Sequence, residues 1–241
     1  MVTCRPNSTL CEMIMTQKLV IFDLDGTLID TSYDLLDSLN HCLISVELKP
    51  VKYEDLTFLV GQGARAMIVR AFELNGAKVS EGELNRLVDV FVEHYTENMP
   101  GKSVAYPGLH QALDRLEDAG IKFAICTNKH EGLATKLMDT LSMSDRFVAL
   151  TGGDTFEVRK PDGRHIEGTI ELANGSVDQT LMIGDSINDI LAAKNANIPS
   201  IAVPFGFTDV PVETLDPTHI IQHFDELTVE LIDRLLAQKT S

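Results

Sequence analysis

The patterned part of the chain begins with a short apolar run, Leu19-Val20-Ile21-Phe22, which stops at Asp23-Leu24-Asp25-Gly26-Thr27. A run of this length, closed by a carboxylate and an Asp-Gly pair, predicts a buried strand running into a turn. Apolar residues then recur at helical spacing. They fall at Leu35, Leu36, Leu39, Leu43 and Val46, at Met67, Ile68, Ala71 and Phe72, and at Leu84, Leu87, Val88, Phe91, Val92 and Tyr95. Ser80 and Glu83 introduce the third group at capping-box spacing. Residues 31–105 therefore read as an all-helical block.

From Tyr106-Pro107-Gly108 onward the period changes. Helices over 108–119, 131–141, 163–173 and 187–196 alternate with strands over 121–126, 147–150, 180–184 and 200–203, which predicts a parallel sheet with helices on both faces. The first strand has no strand beside it in sequence, so it is assigned to this later sheet, and the helical block becomes an insertion. The predicted organisation is a tail (1–15), a discontinuous α/β core (16–30 and 106–241) and a helical insertion (31–105). Beyond Pro204, an apolar pair at Ile220-Ile221 and a closing helix on Leu227, Leu231 and Leu235 complete the sheet's surface.

Composition narrows the function. A chain of 241 residues with 44% hydrophobic and 23% charged residues has the make-up of an ordinary soluble globular protein. Its net charge of −16 argues against nucleic acid or an anionic membrane as partner, since both call for a basic face. An anionic substrate would have to be held by local cations. Cys4, Cys11, Cys42 and Cys126 show no metal-type pairing, and a chain this long needs no disulfide framework, which fits a reducing cytoplasm. Residues 1–15 lack the apolar stretch of a secretory signal, and no run approaches a membrane span. Met13 and Met15 are alternative starts.

Ligands of open parallel sheets bind beyond the carboxyl ends of the strands, so the residues just past each strand are the informative ones. In extended backbone Asp23 and Asp25 point to one side. Asp25-Gly26 on its own would serve as a plain turn, but a carboxylate closing a buried apolar run needs a partner, and a cation is the natural one. Thr127-Asn128-Lys129 follows the second strand and Gly184-Asp185-Ser186-Ile187-Asn188-Asp189 the fourth, with Arg159-Lys160-Pro161-Asp162 between them. Taken singly, Thr127 is a helix cap, Lys160 a solvated lysine, and Asp185 an N-cap partnered by Asn188. Asp185 and Asp189, four residues apart, would repel by roughly 0.2–0.5 kcal/mol on a helix unless they share a cation. Four carboxylates, a hydroxyl and a lysine at one sheet edge, with the seven histidines dispersed, form an oxygen-only donor set suited to Mg²⁺.

Asp23-x-Asp25-Gly26-Thr27, Thr127-Asn128, Lys160-Pro161 and Gly184-Asp185-Ser186-x-Asn188-Asp189 resemble, in order, the four motifs of the haloacid dehalogenase superfamily. The helical insertion, Val60-Gly61-Gln62-Gly63-Ala64-Arg65, Tyr106-Pro107-Gly108 and Gly152-Gly153-Asp154-Thr155 resemble its phosphoglycolate phosphatase branch. The likeness runs from Lys18 to about Leu227. One departure is Gly163, where relatives commonly carry Pro, which leaves the start of the next helix in question.

The resemblance implies a Rossmann-like parallel-sheet core with the insertion as a cap. It implies a Mg²⁺-dependent phosphatase of small phosphorylated metabolites, with 2-phosphoglycolate the leading substrate; whether it acts as a monomer or homodimer is left open by the sequence. Asp23 would form an aspartyl-phosphate, and Asp25 would act as acid and then base. Mg²⁺ would be held by Asp23, the backbone carbonyl of Asp25 and Asp185, with Asp189 bound or close by. Gly26, Thr127, Asn128 and Lys160 would cradle the phosphoryl group. Arg65, presented by a turn containing Gly61 and Gly63, would grip a substrate carboxylate. A β-phosphoglucomutase-like mutase, a pyrophosphatase or another sugar-phosphate phosphatase shares these motifs. A dehalogenase is disfavoured, because that branch typically lacks the second acid that Asp25 supplies.

Overall fold

A computed structural model of the chain describes residues 17–56, 63–207 and 210–238. Strand β1 (Leu19–Phe22) is followed by β2 (Ile29–Asp30) and then by helices α1 (Ser32–Ser45), α2 (Tyr53–Leu56), α3 (Ala64–Leu74) and α4 (Glu81–Asn98) before β3 (Val104–Ala105). Helices and strands then alternate: α5 (Leu109–Asp118), β4 (Lys122–Cys126), α6 (Glu131–Thr140), β5 (Ala149–Thr151), α7 (Gly163–Leu172), β6 (Thr180–Gly184), α8 (Ile187–Asn195) and β7 (Ser200–Ala202). The short β8 (His219–Ile220) and α9 (Val229–Gln238) close the described chain. Cys4, Cys11, Met13 and Met15 lie outside the described residues.

Six described strands form a parallel sheet in the order β5-β4-β1-β6-β7-β8. β1 is central, pairing Leu19 with Lys122 of β4 on one side and with Thr180 of β6 on the other. A central strand buries both faces, which is why it is apolar throughout rather than alternating. Val20 and Phe22 enter a core shared with α5, α6, α9 and the helical insertion, while Leu19 and Ile21 enter a second core with α7 and α8. Phe22 meets the rings of Phe123 and Phe147 edge-on, at 5.9 and 6.3 Å between centroids.

The alternation read from the sequence is present to within two residues at each boundary, and the Ile220-Ile221 pair lies at β8. α7 does begin at Gly163, with Asp162 as its N-cap accepting from Arg164 N at 3.0 Å. The glycine is explained by close approach: a Cβ there would lie 2.6 Å from the backbone carbonyl carbon of Asn195. At α4 only half of the expected capping box forms. Ser80 accepts from Glu83 N at 3.3 Å, while the Glu83 carboxylate turns to Arg86.

The inserted helices pack on one another through Leu39, Leu43, Met67, Ile68, Phe72, Leu84, Leu87 and Phe91. A ribbon not anticipated from the pattern joins the two ends of the insertion: β2 and β3 pair antiparallel, Ile29 opposite Ala105 and Asp30 opposite Val104. Beside it the buried Asp34 carboxylate accepts from Lys102 N, Ser103 N and Ser103 Oγ at 2.7, 3.0 and 2.5 Å. Cys42 and Cys126 are free and buried. No described helix is long and apolar enough to cross a membrane.

Candidate active site

Asp23 follows β1 directly and stays in the ladder, its N–H donating to Ile183 O at 2.9 Å. Its carboxylate accepts from Lys160 Nζ at 2.7 Å, and the same ammonium donates to Asp189 Oδ1 at 2.6 Å. Lys160 is sealed in, with 1% of its side chain exposed. Asp185, one residue beyond β6, accepts from Thr27 Oγ1 at 3.0 Å and from Phe207 N at 2.6 Å. Carboxylate oxygens of Asp23, Asp185 and Asp189 lie within 4.8 Å of one another.

The expected repulsion between Asp185 and Asp189 is answered by two features. Asp189 faces Lys160 with one oxygen, and with the other it accepts from Ser186 N and Oγ at 3.0 and 2.6 Å, forming the capping box of α8. Ser186 is therefore the N-cap, not Asp185 with Asn188 as partner. Asp185 is left free to face the site.

Gly26 makes this closeness possible. Its φ of 88° suits glycine, and a Cβ there would stand 2.5 Å from Asp185 Oδ2.

Three buried carboxylates meet here, and the one lysine contacts two of them. Burial pushes the Asp23 carboxyl up to about 6, Lys160 pulling it down and Asp189 and Asp25 adding to the rise. Burial, then Asp189 and Asp23, hold Asp185 well above the ordinary carboxyl range. For Lys160, burial favours the neutral amine, but Asp189 and Asp23 outweigh it and keep the ammonium charged. The excess of buried negative charge on oxygen donors fits a hard divalent cation.

The residues expected to hold phosphate come from two loops. Thr127 is buried at the end of β4, its hydroxyl accepting from Lys129 N at 3.2 Å. Asn128 Nδ2 donates to the Lys160 carbonyl at 3.0 Å, and His165 Nδ1 accepts from Lys160 N at 3.2 Å, so the lysine backbone is held from both sides. Burial, helped by Lys160, pushes the His165 ring down to about 4 and keeps it the neutral acceptor this contact needs. The Gly152-Gly153-Asp154-Thr155 segment braces the same loop: Gly153 N donates to Lys129 O at 2.8 Å, and Asp154 accepts from Glu131 N at 2.7 Å.

Asp25 has its own partners. Thr31 Oγ1 donates to it at 2.7 Å, and Lys129 Nζ reaches its two oxygens at 3.0 and 3.1 Å. Lys129 also donates to the Tyr95 hydroxyl at 2.9 Å. In the sequence Lys129 stands out only as the residue after Thr127-Asn128, and Tyr95 falls at an apolar helix position. The available signal was a lysine directly after Thr127-Asn128 in a strongly acidic chain.

Arg65 is not brought into this group, contrary to the expectation above. It sits in the first turn of α3, half exposed, where Glu81 pairs with its guanidinium and Asn85 Oδ1 accepts from it at 2.7 Å. Gly63 is the N-cap of that helix, with φ 88°. Val60, Gly61 and Gln62 lie outside the described residues.

Several known proteins resemble this chain over most of its length. A phosphoglycolate phosphatase of Agrobacterium fabrum is 53% identical over 220 residues, covering 91% of this chain and 94% of that protein. One of Mesorhizobium japonicum is 49% identical over 222 residues, covering 92% and 98%. The crystal structure of a predicted phosphoglycolate phosphatase from Haemophilus somnus superposes with a TM-score of 0.81 at 26% identity, covering 89% of this chain and 98% of that one. The profile of haloacid dehalogenase-like hydrolases matches residues 20–203, and the chain belongs to that family.

Proposed function

We propose that the protein is a Mg²⁺-dependent phosphatase of small organic phosphate monoesters, working through an aspartyl-phosphate on Asp23, with 2-phosphoglycolate as its substrate. The observation that carries this reading is the meeting of Asp23, Asp185, Asp189 and Lys160 in one buried group, with a second acid, Asp25, on a lysine of its own. The named activity of the relatives at 53% and 49% identity supports the choice of substrate. Free, buried cysteines agree with a cytoplasmic setting.

An Asp23 carboxylate oxygen attacks phosphorus. The bond from phosphorus to the ester oxygen breaks, and that oxygen takes the Asp25 proton, so the alcohol leaves neutral. Water then attacks the phosphorus of the acyl phosphate and gives a proton to Asp25. The bond to Asp23 breaks, returning the free carboxylate and inorganic phosphate. Lys160, Thr127, Gly26 and backbone N–H groups around Asn128 hold the phosphoryl oxygens as their charge shifts. Asp23, Asp185 and the carbonyl of Asp25 would hold Mg²⁺, with Asp189 kept beside it by Lys160 and Ser186. When bound, the ion offsets the repulsion between carboxylate and phosphate dianion, about 4 kcal/mol per charge pair at ~4 Å and an effective dielectric near 20. Residues 31–105 serve as a cap that excludes competing water.

The test is phosphate release from 2-phosphoglycolate, pyrophosphate and β-glucose 1-phosphate, with Mg²⁺ or with EDTA. The expected result is metal-dependent turnover with kcat/KM at least about tenfold higher for 2-phosphoglycolate, and none with Asp23→Asn. Similar rates across the panel would remove the named substrate. Isomerisation of β-glucose 1-phosphate without phosphate release would identify a mutase, and turnover by Asp23→Asn would refute the nucleophile.

A further inference from the structure

Lys129 and Tyr95 are buried polar groups that the chemistry above leaves without a task. The Lys129 side chain is 7% exposed, and its ammonium contacts both oxygens of Asp25 and the Tyr95 hydroxyl, lying 4.3 Å from the centroid of the tyrosine ring. An ammonium has three N–H donors, and two carboxylate oxygens and a hydroxyl engage all of them. With every donor committed and the ring beneath it, the ammonium has one position, and it fixes the plane of the Asp25 carboxylate. Thr31 Oγ1, at 2.7 Å, holds Oδ1 as well.

The two residues arrive from different parts of the fold. Lys129 belongs to the braced loop between β4 and α6, where Gly153 and Thr127 fix its backbone. Tyr95 comes from α4, in the helical insertion. We propose that Tyr95 and Lys129 are a positioning pair that aims the Asp25 carboxyl at the ester oxygen and makes that aim depend on the seating of α4. Neither residue touches the reacting atoms. Their effect passes through Asp25, so the inference rests on the acid role assigned to Asp25 above.

The test compares Tyr95→Phe, Lys129→Met and Asp25→Asn in the full chain with Mg²⁺ on two small substrates. 2-Phosphoglycolate releases an alkoxide that must be protonated, whereas acetyl phosphate releases a carboxylate that need not be. kcat/KM covers the steps up to departure of the leaving group, the part of the cycle in which Asp25 is the acid. Tyr95→Phe keeps the ring and removes one hydroxyl. It is expected to lower kcat/KM for 2-phosphoglycolate about 3- to 10-fold, and Lys129→Met about 30- to 100-fold, each with less than about a threefold change on acetyl phosphate. Equal losses on both substrates, the mark of a general defect in the fold, overturn the pair, and so does no loss on either. If Asp25→Asn itself loses equally on both, the acid role fails and the pair fails with it. If Asp25→Asn is selective and the pair variants are not, the pair alone fails. Tyr95→Phe, the gentler change, keeps the test open should Lys129→Met not fold.

Discussion

Asp23 and Asp185 are short of positive charge, and that shortage is measurable. A carboxyl whose folded pKa is raised contributes stability that is fully present below its unfolded value and is lost as pH rises through the folded one. For Asp23 that window runs from the ordinary 3.8 to about 6. The chelated protein is therefore expected to lose up to about 3 kcal/mol between those limits. Metal binding needs the ionised carboxylates, so the rise in Tm on adding Mg²⁺ is expected to be larger at about pH 7.5 than at about pH 5. His165, pushed down to about 4, loses stability in the opposite direction, as pH falls, and cancels when the two metal states are compared at one pH. Equal Tm gains at both pH values would refute the charge shortage. Arg65 is the contrasting residue: Arg65→Ala is expected to leave KM for 2-phosphoglycolate within about twofold and stability within about 1 kcal/mol, because it removes a half-exposed ion pair and one exposed hydrogen bond. A large rise in KM would return the guanidinium to the site.

Among the elements, the two ends of the insertion are tied to one another by a two-residue ribbon and one carboxylate. Asp34→Ala would leave the N–H groups of Lys102 and Ser103 unpartnered near the buried end of α1. A loss of about 2–4 kcal/mol is expected in urea unfolding, with faster proteolysis around 98–103. An unchanged midpoint would show that water replaces the carboxylate. How much of this was legible in sequence depends on the span of each interaction. β1, β4 and β6 announce themselves as apolar runs, and the residues after them as chemistry, because both signals are local. β2 and β3 are too short to show a period, and their pairing joins Ile29 to Ala105 across the whole insertion. The partners of Arg65 lie one helix away, at Glu81 and Asn85, and those of Lys129 at Asp25 and Tyr95. No local pattern separates such a lysine from a solvated one.

Across the whole molecule, a net charge of −16 opposes an anionic substrate at long range, while Lys160, the cation proposed to hold it, is buried. Added salt screens the first and barely reaches the second. With Mg²⁺ saturating, kcat/KM for 2-phosphoglycolate is expected to rise severalfold or less between about 10 and 150 mM NaCl. A steep fall would indicate that exposed cations guide the substrate.

The place of β1 at the centre of the sheet also bears on how the protein comes into being. Asp23 precedes the strands that flank it, which begin at Lys122 and Thr180, and Asp185 and Asp189 come later still. Contacts of such long sequence separation form slowly, whereas the inserted helices close on near neighbours. A growing chain would carry its proposed nucleophile past the whole insertion before the lysine and acids that complete its surroundings are made. Assembly of the reactive centre then waits on β6 and the turn into α8.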